Sequence, residues 1–296
     1  MKNPQHWILS YDVGGSHVSA GLVRFPNLDL VGVQSVSIDS SLSSGQVMGT
    51  FAALGRAVIN GQAQPKIAGI ATSMPGPFDY ERGICYIRGL AKYEQLYGVD
   101  FRAALAGHFP EVDREAVRFV NDAAAALLGE IQAGAARGKQ RAIGLTLGTG
   151  IGAAFAVSGR IVTSGPGVPP GGYIYNLPWN GGIVEDVLSS RGIRKEYIRL
   201  GGEDRDVREI AQRTSSDPLA KRVLVWFGQT LGEVVGSLVD SFHPEVIVLG
   251  GAITRSHSLF LPSALQMIRG RDVEVRPSEL GERAGLIGAA VAWGLE

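Results

Sequence analysis

Trp7-Ile8-Leu9-Ser10-Tyr11-Asp12-Val13 runs into Gly14-Gly15-Ser16, and Ser19-Ala20-Gly21-Leu22-Val23-Arg24-Phe25 follows. Apolar and β-branched runs on either side of a glycine break predict two strands joined as a hairpin around a polar loop. The pattern recurs further on. Residues 142–147 lead into Gly148-Thr149-Gly150-Ile151-Gly152, and residues 153–157 pair back as a second hairpin. Each half continues with further strand and helix, which predicts a duplicated α/β unit with a ligand held between the halves.

Working outward, a third strand is expected near residues 31–38. Val47, Phe51, Leu54 and Val58 fall at helical spacing within residues 46–60. Residues 67–72 form a short apolar run ended by Met74-Pro75-Gly76-Pro77. The mixture of tyrosines, glycines and charges over 81–110 gives no clear pattern. Residues 117–120 read as a strand entering Asn121-Asp122 and an alanine- and leucine-rich helix, 123–136, with Asp122 at the position of an N-cap. Residues 164–182 form a proline- and glycine-rich loop. A long helix over about 219–242 carries Gly228, Gly232 and Gly236 on one face, which predicts close packing against a neighbour. A buried strand at 246–249 precedes Gly250-Gly251, and an apolar helix, 284–293, closes the chain.

Composition narrows the functional classes. The 296 residues are 45% hydrophobic and 19% charged, which suits a globular chain with sizeable cores. With 28 basic against 28 acidic residues there is no basic excess for nucleic acid. The single cysteine, Cys85, precludes an internal disulfide framework or an all-cysteine metal site. No apolar run approaches a membrane span and nothing resembles a signal peptide, so no membrane partner and a cytoplasmic setting are expected. The 41 glycines are not periodic; they cluster after apolar runs, where backbone must come close to something.

Both hairpin loops combine glycines with a hydroxyl residue, Ser16 or Thr149. Such turns aim several backbone N–H groups into one concavity and suit phosphate oxygens; ordinary tight hairpins would look the same. Asp12 is suited to hold Mg²⁺ through water. Asp122, at a strand-to-helix junction, can take the proton of an attacking hydroxyl, the role a kinase requires; helix capping is the plainer explanation. Glu185 can hold sugar hydroxyls, or be a solvated charge. The five histidines offer no zinc spacing.

Taken in order, Asp12 to Ser16, Ser73 to Asp79, Asn121-Asp122-Ala123, Thr146 to Gly152 and Val246 to Ala252 resemble the ROK family of bacterial sugar kinases and sugar-responsive repressors, over about residues 8 to 292. The resemblance implies a two-lobed, actin-like (ribonuclease H-like) α/β fold with ATP in the cleft between lobes. It implies an N-terminal lobe of residues 1–120 joined by the helix at 284–296, and a larger lobe of 121–283. Asp12, Gly14, Gly15 and Ser16 look like the first phosphate loop, and Gly148, Thr149, Gly150 and Gly152 like the second. Gly250 and Gly251 resemble the turn beside the adenosine. Gly76, Asn121 and Glu185 match sugar contacts, and Asp122 the catalytic base.

The sequence departs from the family in three places. The usual Gly-Glu-x-Gly-His is replaced by Gly167-Val168-Pro169-Pro170-Gly171-Gly172-Tyr173-Ile174-Tyr175. The usual cysteine cluster is absent around Pro178 to Gly182. Arg88-Gly89-Leu90 stands where Asn-Leu is usual. No zinc site is therefore expected, and the sugar pocket lacks up to three contacts. No helix-turn-helix precedes Trp7, which speaks against the repressors. The expected activity is an ATP- and Mg²⁺-dependent kinase of a hexose or related sugar, acting as a homodimer. The alternatives are a sugar- or nucleotide-binding regulator on the same fold, or a kinase for another acceptor or with polyphosphate as donor. Tyr173 and Tyr175 are candidates to replace lost polar contacts.

Overall fold

In the computed structural model, residues 6–15, 17–39, 42–63, 65–88 and 94–295 are described. Ser16, Gly89 and Leu90 lie outside these residues. The chain divides into two compact units, residues 1–133 with 282–296, and residues 134–281.

The first unit is built on β1 (His6–Val13), whose Ile8, Leu9, Ser10 and Tyr11 are all buried, as a central strand requires. β2 (His17–Phe25) turns back antiparallel to it, and β3 (Asp29–Ser37) pairs antiparallel with β2. Helix α1 (Ser44–Asn60) opens with a capping box, Ser43 and Gln46 bonding each other's backbone. It carries the chain to β4 (Ile67–Met74), which is parallel to β1. A small ribbon, β5 (Phe78–Asp79) and β6 (Ile84–Cys85), and helix α2 (Phe101–His108) fill the stretch that gave no pattern. β7 (Val117–Asn121) then pairs parallel with β4 and runs straight into α3 (Asp122–Ala133). The sheet order is β3-β2-β1-β4-β7. Tyr11, Phe51, Phe101 and Phe109 fill the core on its α1 side.

The second unit repeats this plan. β8 (Arg141–Leu147), β9 (Ile151–Val157) and β10 (Arg160–Val162) form an antiparallel meander. A short ribbon of β11 (Pro178–Trp179) and β12 (Gly182–Ile183) precedes α4 (Val184–Val187), α5 (Ser190–Arg199), α6 (Val207–Gln212) and the long α7 (Pro218–Phe242). β13 (Val246–Gly250) is parallel to β8, α8 (Leu261–Met267) follows, and β14 (Glu274–Pro277) is parallel to β13. The order β10-β9-β8-β13-β14 has the same pairing senses as the first sheet. Two of the three glycines of α7 meet a neighbouring backbone as expected, while Gly236 faces the Arg271 guanidinium, 3.3 Å from its built Cβ. A Cβ on Gly228 would lie 2.1 Å from the Phe260 carbonyl, and one on Gly232 2.5 Å from that of Ala264.

The closing helix α9 (Arg283–Leu295) returns to the first unit and packs along α3. The two helices approach until backbones touch: a Cβ on Gly288 would sit 1.6 Å from the Ala125 carbonyl oxygen, and one on Gly129 2.4 Å from that of Ala284. This contact assigns α3 to the first unit, so the division falls at 133/134, after the helix that was expected to open the second lobe.

Gly288→Ala is expected to destabilise the protein by about 1–3 kcal/mol, because helix backbones must separate to admit a methyl group. Gly49, in α1, has nothing within 4 Å of a built Cβ, so Gly49→Ala is expected to be neutral or to stabilise by up to about 1 kcal/mol. Urea unfolding of both variants checks the contrast.

Candidate functional site

In the first unit the end of β1 and the start of α3 bring two carboxylates into electrostatic contact. Asp12 and Asp122 are each half-buried: surrounded by protein, but still touched by solvent. Burial is the largest influence on Asp12 and pushes it up to about 6. The Ser73 hydroxyl, donating to Asp12 Oδ1 at 2.6 Å, opposes this, while the negative charge of Asp122 reinforces it. His17 lowers it further and Glu282 raises it. Asp122 is also held above the ordinary carboxylate range, again by burial first, against hydrogen bonds from the Ala123 and Asp122 backbone and from Asn121.

The cap of α3 is Asn121 rather than Asp122. Asn121 Oδ1 accepts from the N–H groups of Ala123 at 3.1 Å and Ala124 at 3.2 Å. Its amide nitrogen donates to Asp122 Oδ1 at 3.0 Å and to the Tyr80 hydroxyl at 3.2 Å. Two donors and two lone pairs are all an asparagine amide has, so a sugar hydroxyl reaches Asn121 only by displacing one of these. Asp122 Oδ1 takes the Asn121 bond and one from the Ala123 N–H at 2.9 Å; Oδ2 takes neither.

Around these groups the backbone is kept bare. A Cβ on Gly285 of α9 would lie 2.4 Å from the Asp12 carboxylate, and one on Gly14 2.9 Å from the His17 ring. Gly14 N–H donates to the His17 carbonyl at 2.9 Å, closing the first loop. Gly15 is exposed beside it, and Gly76 is exposed beyond the end of β4, 3.4 Å from the Tyr80 hydroxyl at its built Cβ.

In the second unit the loop at 148–152, Glu185 and Gly251 converge. Gly148 N–H donates to the Gly150 carbonyl at 3.0 Å, and a Cβ on Gly148 would meet nothing within 4 Å. Space is therefore open at Gly148, as a phosphate cradle needs, while the Glu185 carboxylate stands over Gly150. Thr149 is exposed and Gly152 half-buried. Glu185 Oε2 accepts from the Ile151 N–H at 3.3 Å, and a Cβ on Gly150 would lie 2.3 Å from that oxygen. The Arg191 guanidinium stands 3.6 Å from Oε1. The Ser190 hydroxyl donates to the Gly148 carbonyl at 2.8 Å, clipping α5 to the loop. Gly251 has φ +88 and packs so closely on Leu147 that a Cβ would lie 2.4 Å from its carbonyl oxygen; Gly250 pairs with Thr146 on β8. Tyr173 and Tyr175 are exposed, with ring centres 5.8 Å apart.

Ser73, Tyr80, Ser190 and Gly285 are not singled out by the sequence. Ser73 opens a quoted motif and Gly285 is a glycine inside an apolar helix, while Tyr80 and Ser190 carry no signal of their own. Asp12 fits Mg²⁺ held through water: one carboxylate oxygen is engaged by Ser73, and a cation would relieve its repulsion with Asp122. Among the described residues no three His, Cys, Asp or Glu side chains cluster as a metal site, and no helix is long and apolar enough to cross a membrane.

A family model described as "ROK family" matches residues 10–294. The chain is 29% identical to the glucokinase of Thermotoga maritima, over 97% of each protein. It is 27% identical to the bifunctional enzyme NanE/NanK of Brucella melitensis, over 97% of this chain but 54% of that protein, so it spans about half the length of that relative. The crystal structure of a ROK hexokinase from Thermus thermophilus matches with a TM-score of 0.79 at 25% identity, covering 98% of both chains. The fold class is accordingly the actin-like α/β fold of two lobes, as the resemblance implied.

Because Asp12 binds its proton more tightly in the folded chain than in the unfolded one, its contribution to stability is present below about pH 4 and is lost as pH rises through about 6. Asp12→Asn, which keeps an acceptor for Ser73, is therefore expected to be more stable than the parent at pH 8 by roughly 1–3 kcal/mol, allowing for partial solvent screening. The difference should disappear at pH 4. Denaturant titrations at the two pH values check it; a gap independent of pH would contradict the assignment.

Proposed function

The chain belongs to the ROK family, and from that premise we propose that it is an ATP-dependent carbohydrate kinase. It transfers the γ-phosphoryl group to a hydroxyl of a hexose or related sugar, with Asp122 as general base. The observation that carries this reading is the division of labour at the head of α3. Asn121 takes the N–H groups of both Ala123 and Ala124, Asp122 shares only that of Ala123 through Oδ1, and Asp122 is held above its ordinary range as a half-buried carboxylate. A carboxylate whose hold on a proton is raised in this way is a stronger base toward an acceptor hydroxyl.

In the step proposed, the acceptor oxygen bonds to the γ-phosphorus while the bond from that phosphorus to the departing ADP oxygen breaks, and the hydroxyl proton passes to Asp122. Asp12, Gly14, Gly15 and Ser16 are assigned to the phosphates, as are Gly148, Thr149, Gly150 and Gly152. Gly250 and Gly251 are assigned to the adenosine side. Mg²⁺, held by Asp12 through water, would supply neutralisation of phosphate charge. Gly76 and Glu185 are assigned to the sugar, and Asn121 to the sugar side through its hold on Asp122. Where the family's glutamate and histidine are missing, the exposed rings of Tyr173 and Tyr175 supply stacking surface and hydroxyls. This supports an acceptor range different from that of a zinc-containing glucokinase.

Asp122→Ala is expected to lower sugar-dependent ADP formation by about 10²–10⁴-fold while leaving ATP binding intact. In the parent, turnover should rise with pH along a limb lying above the ordinary carboxylate range, since Asp122 acts when deprotonated and burial raises its pKa. Undiminished turnover in the variant would remove Asp122 from the role. Measurable ATP binding with no turnover of any sugar in the parent would favour a non-catalytic regulator.

A further inference from the structure

The hydrogen bonds at Asn121 do not end with the helix cap. Tyr80 follows β5 in the first unit, its ring 5.3 Å from that of Phe78. Its hydroxyl donates to the Met74 carbonyl at 3.1 Å, at the end of β4, and accepts from Asn121 at 3.2 Å. A continuous chain thus runs from the backbone of β4 through Tyr80 and Asn121 to Oδ1 of Asp122. The Asn121 carbonyl oxygen is fixed separately by two N–H groups of α3. An amide with all four of its groups engaged cannot turn without losing a bond. The hydroxyl of Tyr80 is the member of this set that comes from outside the β7–α3 junction.

Resting on the reading of Asp122 as base, we propose that Tyr80 is a positioning residue for it. The Tyr80 hydroxyl, anchored on Met74, orients the Asn121 amide, which in turn fixes Oδ1 of Asp122 where the acceptor proton is to be received. The strand end that carries Gly76 just beyond it is the same one that anchors Tyr80, so the placement of base and acceptor share one support. The charged group facing Asp122 from β1 is Asp12, itself flanked by His17 and Glu282. None of these is altered when the Tyr80 hydroxyl is removed, so a change at Asp122 would have to come through Asn121.

The test compares the full-length parent with Tyr80→Phe, Asn121→Ala, the double variant and Asp122→Ala. Two readouts are used: ADP formation from Mg-ATP with glucose, mannose and N-acetylmannosamine, and the ¹³C NMR titration of the Asp122 carboxyl, identified by its loss in Asp122→Ala. Tyr80→Phe keeps the ring and removes one hydroxyl. It is expected to lower kcat about three- to tenfold with KM changed less than about twofold, the size of one modest hydrogen bond. It should also move the Asp122 titration upward by about half to one pH unit, because a bond favouring the charged form is loosened. In the Asn121→Ala background Tyr80→Phe should add little to either effect. Wild-type kcat and an unmoved titration in Tyr80→Phe would overturn the role of Tyr80, as would full additivity with Asn121→Ala. Full turnover in Asp122→Ala would instead overturn the base assignment beneath it. Should the parent turn over none of the three sugars, the titration alone decides whether Tyr80 acts on Asp122.

Discussion

The first unit depends on the contact between α3 and α9, where glycines let backbone touch backbone. Gly288 lies against the Ala125 carbonyl, Gly129 against that of Ala284, and Gly285 against the Asp12 carboxylate. Close-packed interiors tolerate little added volume, so this crossing fixes where α3 begins relative to the end of β1. Asp122 stands at that beginning and Asp12 near that end. The Ser10 hydroxyl, donating to the Leu286 carbonyl at 2.6 Å from the middle of β1, ties the same helix to the same strand. Geometry at the two carboxylates is thus a consequence of helix packing outside the loops that carry them.

Electrostatics at this place is a contest between burial and hydrogen bonding. Burial acts most strongly on both Asp12 and Asp122 and raises both, and their mutual repulsion adds to the effect on Asp12. Ser73 pulls Asp12 down, while Asn121 and the backbone N–H groups at the start of α3 pull Asp122 down. Burial wins in each case. A pair of carboxylates kept uncomfortable in this way welcomes a cation or a proton, which is what phosphoryl transfer to a hydroxyl asks of its surroundings.

Much of this was legible in the sequence, for identifiable reasons. The two glycine hairpins announced the repeat, because apolar runs broken by glycine have few other readings. The long helix, its glycine face and the strand at Val246 were clear because periodicity and composition agreed. The stretch from 81 to 110 was not, since β6 has two residues and α2 eight, too short for a period to register. The role of Asn121 as cap was obscured because Asn and Asp are both good caps and stand side by side. Tyr80 was invisible because its significance lies in a hydrogen bond to a residue 41 positions away. The compact units divide at 133/134 rather than at the expected 120/121, because the contact that groups α3 with the first unit is made by the far end of the chain.

The same sheet order, antiparallel meander followed by two parallel strands, serves both units, but the decorations differ, and the proposal assigns those around 164–182 to the acceptor. The most direct measurement of the central claim is therefore product analysis. Parent protein is incubated with γ-³²P-labelled Mg-ATP and a panel of hexoses, amino sugars and N-acetylated sugars, and the label is followed. The account expects label on a sugar, bonded through a hydroxyl oxygen, with one ADP formed for each sugar phosphate. Label found only in free phosphate, or remaining in ATP across the panel, would contradict it.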